Sequence, residues 1–274
     1  MKRMCFILIT VMLIGFSCAW GENALSFGVV PQQSTYTILK KWTPLINELS
    51  TRSGVKLTLK TAPSIPEFEK RLAEGGYDIA YMNPYHYITY HEISGYRAFA
   101  RERDKSIVGI VVVPSDSPYN SLHDLKEKNL AFPSTGAFAA SMLVRSMLSE
   151  MGIPHSSDYV GSHDSVYLSV AGGIHDAGGG IRRTFNEVDA SVSGELRILA
   201  ETKSFTPHAF AARGDTKEEL LDSLKGAMLS FHMDIKGRKL LDNAGLAGFI
   251  SASDEDWNDI RSLGKNNLKS LLEK

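Results

Sequence analysis

Three short segments carry groups suited to holding an anion. In residues 129–148 an apolar strand, Leu130-Ala131-Phe132, stops at Pro133; Ser134-Thr135-Gly136-Ala137 and a run of helix formers follow. A helix begun this way has unpaired N–H groups beside hydroxyls that can donate, at the positive end of the helix dipole. That arrangement suits a phosphate-like anion. The plainer alternative is an ordinary helix start capped by Ser134 or Thr135. In the second segment, Tyr81-Met82-Asn83-Pro84-Tyr85-His86-Tyr87, a strand gives way to a helix at Asn83-Pro84, so N–H groups and tyrosine hydroxyls collect at one end. A capping Asn with core aromatics is the alternative. The third joins Gly161-Ser162-His163-Asp164-Ser165 to Gly178-Gly179-Gly180-Ile181-Arg182-Arg183. His163 at a helix start can donate a ring N–H to an oxyanion, or serve only as a surface cap. The glycines allow close backbone approach to a ligand. Arg182 or Arg183 supplies a bidentate fork, unless both are solvated on a loop.

Catalytic chemistry finds little support. His163 and Asp164 are adjacent, with no Gly-x-Ser-x-Gly elbow. The remaining histidines form no His-Glu-x-x-His and no tight metal-ligand cluster. The triple glycine matches neither a dinucleotide fingerprint nor a P-loop. Neither an enzyme, a metal nor a cofactor is expected.

The elements that must position these segments follow from hydrophobic period and turn residues. Residues 25–30 read as a buried strand, 34–52 as a helix capped by Ser34 and closed by Gly54, and 55–60 as a strand. A helix opened by Ser64 and Pro66 follows, then a strand at 77–82 and a helix from Pro84. Three βα units in succession imply a parallel sheet with ligands beyond its carboxyl ends. Two strands without an intervening helix, 96–103 and 107–113, break the rhythm. A second βα series begins at Asn129 and runs through a helix at 137–151, a helix at 163–171 and a strand at 174–180. Strands at 196–202 and 208–213 and helices at 216–231, 234–243 and 254–272 complete the chain. The fold class expected is α/β with two βα lobes: residues 22–112 plus 207–274, and residues 113–206. The chain crosses between them near 111–118 and 202–208, forming a hinge and a cleft.

The N-terminus reads as an export signal. Lys2 and Arg3 precede an apolar run, residues 4–16, too short to span a bilayer comfortably, and Ala19 and Gly21 supply a cleavage site before Glu22. Both cysteines, Cys5 and Cys18, fall in this leader, so the mature chain has no disulfide or thiolate chemistry. Cys18 offers a lipidation alternative, in a poor context because of bulky Phe16. Without Lys2 and Arg3, 28 basic residues face 31 acidic ones, so neither nucleic acid nor an anionic membrane is an expected partner.

The tracts GVVPQQS, FEKRLAEGGYDIAYMNPYHYI, AFPSTGAFAAS and GSHDSVYLSVAGGIHDAGGGIRRTF resemble the phosphate/phosphite/phosphonate-binding components of ABC transporters. These are type II periplasmic binding proteins, and the likeness covers essentially the whole mature chain in element order. The resemblance implies an exported, monomeric protein that closes on a small phosphorus oxyanion and delivers it to a membrane permease. A periplasmic sensor, or a binder of another anion, is the alternative. It assigns the Ser-Thr pair of the family's helix start to Ser134 and Thr135, its aromatic after the third strand to Tyr87, and its ligand-facing histidine to His163. Two departures stand out. Gly136 and Ala137 occupy a turn that commonly holds another hydroxyl, and Ile65 stands where the family's second helix begins with tyrosine. The Arg182-Arg183 pair, in place of acids, disfavours an aminoalkylphosphonate and favours a wholly anionic ligand.

Overall fold

The structure, a computed structural model, describes residues 24–264. The expected leader with its two cysteines, and the end of the last expected helix, lie outside the described residues.

The first strands and helices form where period and caps place them. They are β1 (Leu25–Val29), α1 (Thr35–Ser53), β2 (Leu57–Lys60), α2 (Ile65–Ala73), β3 (Ile79–Met82) and α3 (Pro84–Ser94). Ser34 Oγ accepts the Thr37 N–H at the start of α1, and Gly54 ends it at φ 71°, a left-handed conformation that glycine adopts without a Cβ clash. Ser64 and Asn83 cap α2 and α3 in the same way. Next come β4 (Arg97–Glu102), β5 (Ile107–Pro114) and β6 (Asn129–Phe132). A wide helical turn, Phe138–Leu143, leads into α4 (Val144–Glu150). After it lie β7 (Ser156–Tyr159), α5 (His163–Ala171), β8 (Ala177–Ile181), α6 (Arg182–Glu187), α7 (Ala190–Ser193) and β9 (Leu196–Phe205). The chain ends through β10 (Ala209–Ala212), α8 (Glu218–Ser230), α9 (Ile235–Asn243), β11 (Phe249–Ser251) and α10 (Asn258–Arg261).

Two sheets result. The first has the order β11-β4-β10-β3-β1-β2 and the second β7-β6-β8-β5-β9. Each is mixed rather than wholly parallel. β1 runs parallel to β2 and β3, and β6 runs parallel to β7 and β8. β10 lies antiparallel between β3 and β4, and β5 antiparallel between β8 and β9. These are the strands next to the crossings: a chain arriving from the other lobe enters a sheet from its opposite end. The second sheet also claims residues 107–112, which the expected division gave to the first lobe. Val111 pairs with Gly179 on one side and Ala200 on the other.

Each sheet buries its own core. In the first lobe Trp42 packs on Tyr81 with ring centroids 4.7 Å apart, and Phe210 meets both Tyr81 and the edge of Phe249. In the second, Val111, Leu130, Phe132, Val144 and Leu148 form one cluster. Each such side chain contributes about 1.5–3 kcal/mol by leaving water. The glycines of β8 serve this packing and not a ligand. They lie in a fully buried strand. A Cβ at Gly179 would stand 1.9 Å from the Ala140 carbonyl, and one at Gly180 2.3 Å from the Tyr167 hydroxyl. Gly109 on β5 meets the Ala139 carbonyl in the same way. Bare backbone on two adjacent strands lets the 138–143 turn sit directly on the sheet.

Candidate functional site

The turn after β6 is the centre of the site. Ser141 and Met142 both donate their N–H to the Ala137 carbonyl, so the helix opens with a widened, five-residue step. Such π-type turns recur at functional positions. The first N–H groups of the turn have no intrahelical acceptor. Phe138, Ala139 and Ala140 are all buried, so these donors are withdrawn from bulk water, while the N–H of the buried Ala137 already donates to the Ser134 carbonyl at 3.3 Å. Ser134 is 5% exposed, and its Oγ is buried with no hydrogen-bond partner. Thr135 is partly buried beside it. A buried hydroxyl without an acceptor costs about 1–3 kcal/mol, and an incoming oxyanion relieves that cost.

Backbone pairing brings His163 to the same place. The Val160 and Gly161 N–H groups donate to Phe132 and Pro133, so the chain runs alongside the 132–134 segment before α5 begins. Ser162 caps α5 by accepting the Ser165 N–H, and His163 is its first residue, 1% exposed. Its Nδ1 lies 3.0 Å from Thr184 Oγ1, which also meets the Tyr167 hydroxyl at 2.8 Å. Burial, reinforced by the nearby Arg183 guanidinium, pushes the His163 pKa down to about 3. The ring is therefore neutral at neutral pH and offers one N–H.

The first lobe faces this surface with Gln32, Asn83 and Glu69. Asn83 Oδ1 caps α3 through the His86 N–H, and its Nδ2 donates across the cleft to the Gly136 carbonyl at 3.1 Å. Glu69 presses on the same residue: a Cβ at Gly136 would stand 1.9 Å from Glu69 Oε1. His86 Nε2, 2.9 Å away, holds that carboxylate. Gly136 is thus not merely a missing donor, since the opposite lobe fills the space a side chain would need. The Gln32 backbone carbonyl accepts the His163 backbone N–H at 2.9 Å. The slot between the lobes is about 10 Å³, room for about one water, and its walls include Gln32, Asn83, residues 137–140 and His163, while Ser134, Thr135, Glu69 and Arg183 lie around it and not on its wall.

The two arginines separate. Arg183 reaches across the cleft to the Tyr81 hydroxyl at 2.8 Å and Gln32 Oε1 at 2.5 Å, over the Tyr81 ring. Arg182 is exposed and paired with Glu201 on its own lobe. Two further contacts span the lobes: the Ser34 N–H to Asp164 Oδ2 at 3.1 Å, and Lys41 to Glu187 at 2.6 Å.

Not every expected residue gathers here. The Tyr87 hydroxyl donates to Asp254 at 2.8 Å and accepts from the Ala98 N–H, while its ring packs on Trp257. Its position on α3 turns it into the first lobe's own core, on the face away from the cleft. Tyr85, partly buried, lies beside Thr89 on the same helix and does not line the slot. Conversely, Gln32, Glu69 and His208 belong to the cleft without having been singled out, and Tyr81, from the second segment, meets Arg183 there. Gln32 and His208 each follow a strand end or crossing marked by proline (Pro31, Pro207), and that was the available signal.

Known proteins can now be compared with this arrangement. A family model described as the periplasmic phosphonate-binding protein of ABC transporters matches residues 27–257. The chain is 21% identical over 259 residues to the phosphonates-binding periplasmic protein of Escherichia coli, covering 88% of this chain and 76% of that one. It is 20% identical over 230 residues to the phosphate-import protein PhnD of Mycolicibacterium smegmatis, covering 74% and 70%. Among solved structures, PhnD1 from Prochlorococcus marinus in complex with methylphosphonate superposes with a TM-score of 0.82 at 18% identity, over 89% of this chain and 97% of that chain. A binding component of an ABC phosphonate transporter from Pseudomonas aeruginosa gives 0.81 at 14% identity, over 91% and 93%. At these identities the structural likeness speaks for the fold, a two-lobed type II periplasmic binding protein, and the family model speaks for the lineage. The chain belongs to the periplasmic phosphonate substrate-binding proteins of ABC transporters.

Proposed function

We propose that this protein captures a small phosphorus oxyanion, as phosphate, phosphite or phosphonate, between its lobes and presents it to a membrane permease. The observation that carries the reading is the buried, widened turn at 137–140 with the partnerless Ser134 hydroxyl beside it. Donors already desolvated need little reorganisation when the anion arrives. The roles follow from the geometry. The turn N–H groups, Ser134 and Thr135 hold the oxyanion from the second lobe. His163 adds one N–H when Thr184 donates to Nδ1, which leaves the ring proton on Nε2. Arg183 supplies the compensating charge, and Asn83 and Gln32 close from the first lobe. The segments between β4 and β5 and between β9 and β10 are the hinges. Ligand that touches both lobes binds the closed state better, and that difference in affinity shifts the population.

Thermal unfolding of the mature chain with phosphate, phosphite, methylphosphonate and sulfate tests this. A ligand at about 100 times its Kd adds about 2.7 kcal/mol, or about 5–10 °C in Tm for a chain of this size. A shift with a phosphorus compound that disappears in the Ser134→Ala/Thr135→Ala double variant supports the reading. Silence from every phosphorus compound refutes it.

A further inference from the structure

Beyond the oxyanion slot the cleft opens into a chamber of about 500 Å³, with Ile107 and Ile181 lining both spaces. Small-molecule sites run from about 300 to 1,000 Å³, and a bare phosphate or methylphosphonate leaves such a chamber unused. Its charges balance, with Glu102, Asp104 and Glu187 against Lys105, Arg182 and Arg183, and most of them already have hydrogen-bond or ion-pair partners. Arg182 is held by Glu201, Arg183 by Tyr81 and Gln32, and Glu187 Oε2 by Lys41. Glu102, 6% exposed at the chamber's edge, accepts the Ala247 N–H. Two polar atoms at the wall remain without partners, Glu187 Oε1 and His208 Nε2, and both are buried. His208 is 4% exposed and stacks flat on Tyr81, with centroids 4.9 Å apart. A carboxylate oxygen can only accept a hydrogen bond, whereas an imidazole nitrogen can donate or accept. An ammonium placed here would meet Lys105, Arg182 and Arg183 as well as the acids, and a second anion would meet Glu102, Asp104 and Glu187 as well as the bases, so neither sign is favoured. A hydroxyl group suits both atoms: it can donate to the carboxylate and accept from a ring N–H, or donate to an unprotonated ring nitrogen.

We propose that this chamber is the subsite for an uncharged, hydroxyl-bearing substituent, so that the protein's preferred ligand is a hydroxylated organic phosphate ester or phosphonate, its phosphoryl group in the slot and its tail beside His208 and Glu187. The inference rests on the oxyanion reading of the slot and adds the tail.

Calorimetric titration of the mature chain with methylphosphonate, 2-hydroxyethylphosphonate, glycerol 3-phosphate and 2-aminoethylphosphonate separates the two. A new, well-formed hydrogen bond in a desolvated pocket is worth about tenfold in Kd, so at least one hydroxylated ligand is expected to bind about tenfold tighter than methylphosphonate and the amino compound. His208→Phe, which preserves the stack on Tyr81, is expected to erase that preference, bringing the hydroxylated ligands to within about threefold of methylphosphonate in the same variant. Equal affinity for methylphosphonate and both hydroxylated ligands in the wild type overturns the tail subsite while leaving the oxyanion slot standing. So does a preference that persists in His208→Phe. Tighter binding of the amino compound overturns the assignment of a neutral tail. If no phosphorus compound binds, the oxyanion reading falls and this inference falls with it.

Discussion

His163 concentrates the electrostatic logic of the site in one residue. An imidazole buried next to a guanidinium must stay neutral, and its pKa is pushed down to about 3 from an ordinary value near 6.5. The unfolded chain therefore binds a proton between those values that the folded chain refuses. Stability from this group is complete above pH 6.5 and drains away as pH falls towards 3, at up to about 1.4 kcal/mol per unit. Burial pushes His208 in the same direction and adds to the slope. We expect denaturant midpoints of the wild type to fall from pH 6.5 to pH 4 more steeply than those of His163→Gln; parallel slopes would show that His163 does not stay neutral in the fold. This residue's position was legible in the tract GSHDSVY, which places a histidine at a helix start. Its Thr184 partner was not, because a contact across 21 residues depends on how β8 turns into α6. Tyr87 teaches the converse. Its place after Asn83-Pro84 suggested the cleft, but one step around α3 commits it to Asp254 and Trp257.

At the scale of elements, the widened turn at 138–143 is possible because the strands beneath it carry no side chain where it lands. The run Gly178-Gly179-Gly180 was visible in the sequence, and its purpose was misread, since glycine admits any close neighbour and a sequence does not say which. Here the neighbours are the Ala140 carbonyl, Val166 and Tyr167. Gly179→Ala sets a methyl 1.9 Å from backbone that has no room to retreat, and overpacking of this kind costs about 1–3 kcal/mol. The variant should unfold at lower denaturant and lose anion binding, because the turn must lift off the sheet. Wild-type midpoint and affinity in Gly179→Ala would mean that the turn tolerates displacement. The strands themselves were largely legible from their period. Their direction was not, because alternation along a strand carries no information about which way its neighbour runs.

For the whole molecule, the question is what holds the lobes together around a slot of about 10 Å³. The spanning contacts fall into two sets. Asn83 and Gln32 lie at the slot, with Arg183 beside them on the wall of the adjoining chamber, where a ligand would rearrange or replace their contacts. Lys41–Glu187 and Ser34–Asp164 lie outside the slot itself. The outer set sets the resting balance between open and closed without touching the anion. Both side chains of the Lys41–Glu187 pair are largely shielded, at 21% and 17% exposure, yet they still meet solvent. Its contribution is therefore about 1 kcal/mol or less, weakened further by salt. Lys41→Met keeps the aliphatic stem and removes the charge. We expect it to enlarge the unliganded radius of gyration in X-ray scattering, to leave the liganded radius unchanged, and to weaken ligand binding by about two- to fivefold through the smaller fraction of closed molecules. The wild type should approach the variant as ionic strength rises, because screening removes the same interaction. If both radii match the wild type at low salt, closure is governed by the slot contacts alone, and Lys41 contributes only to the surface of α1.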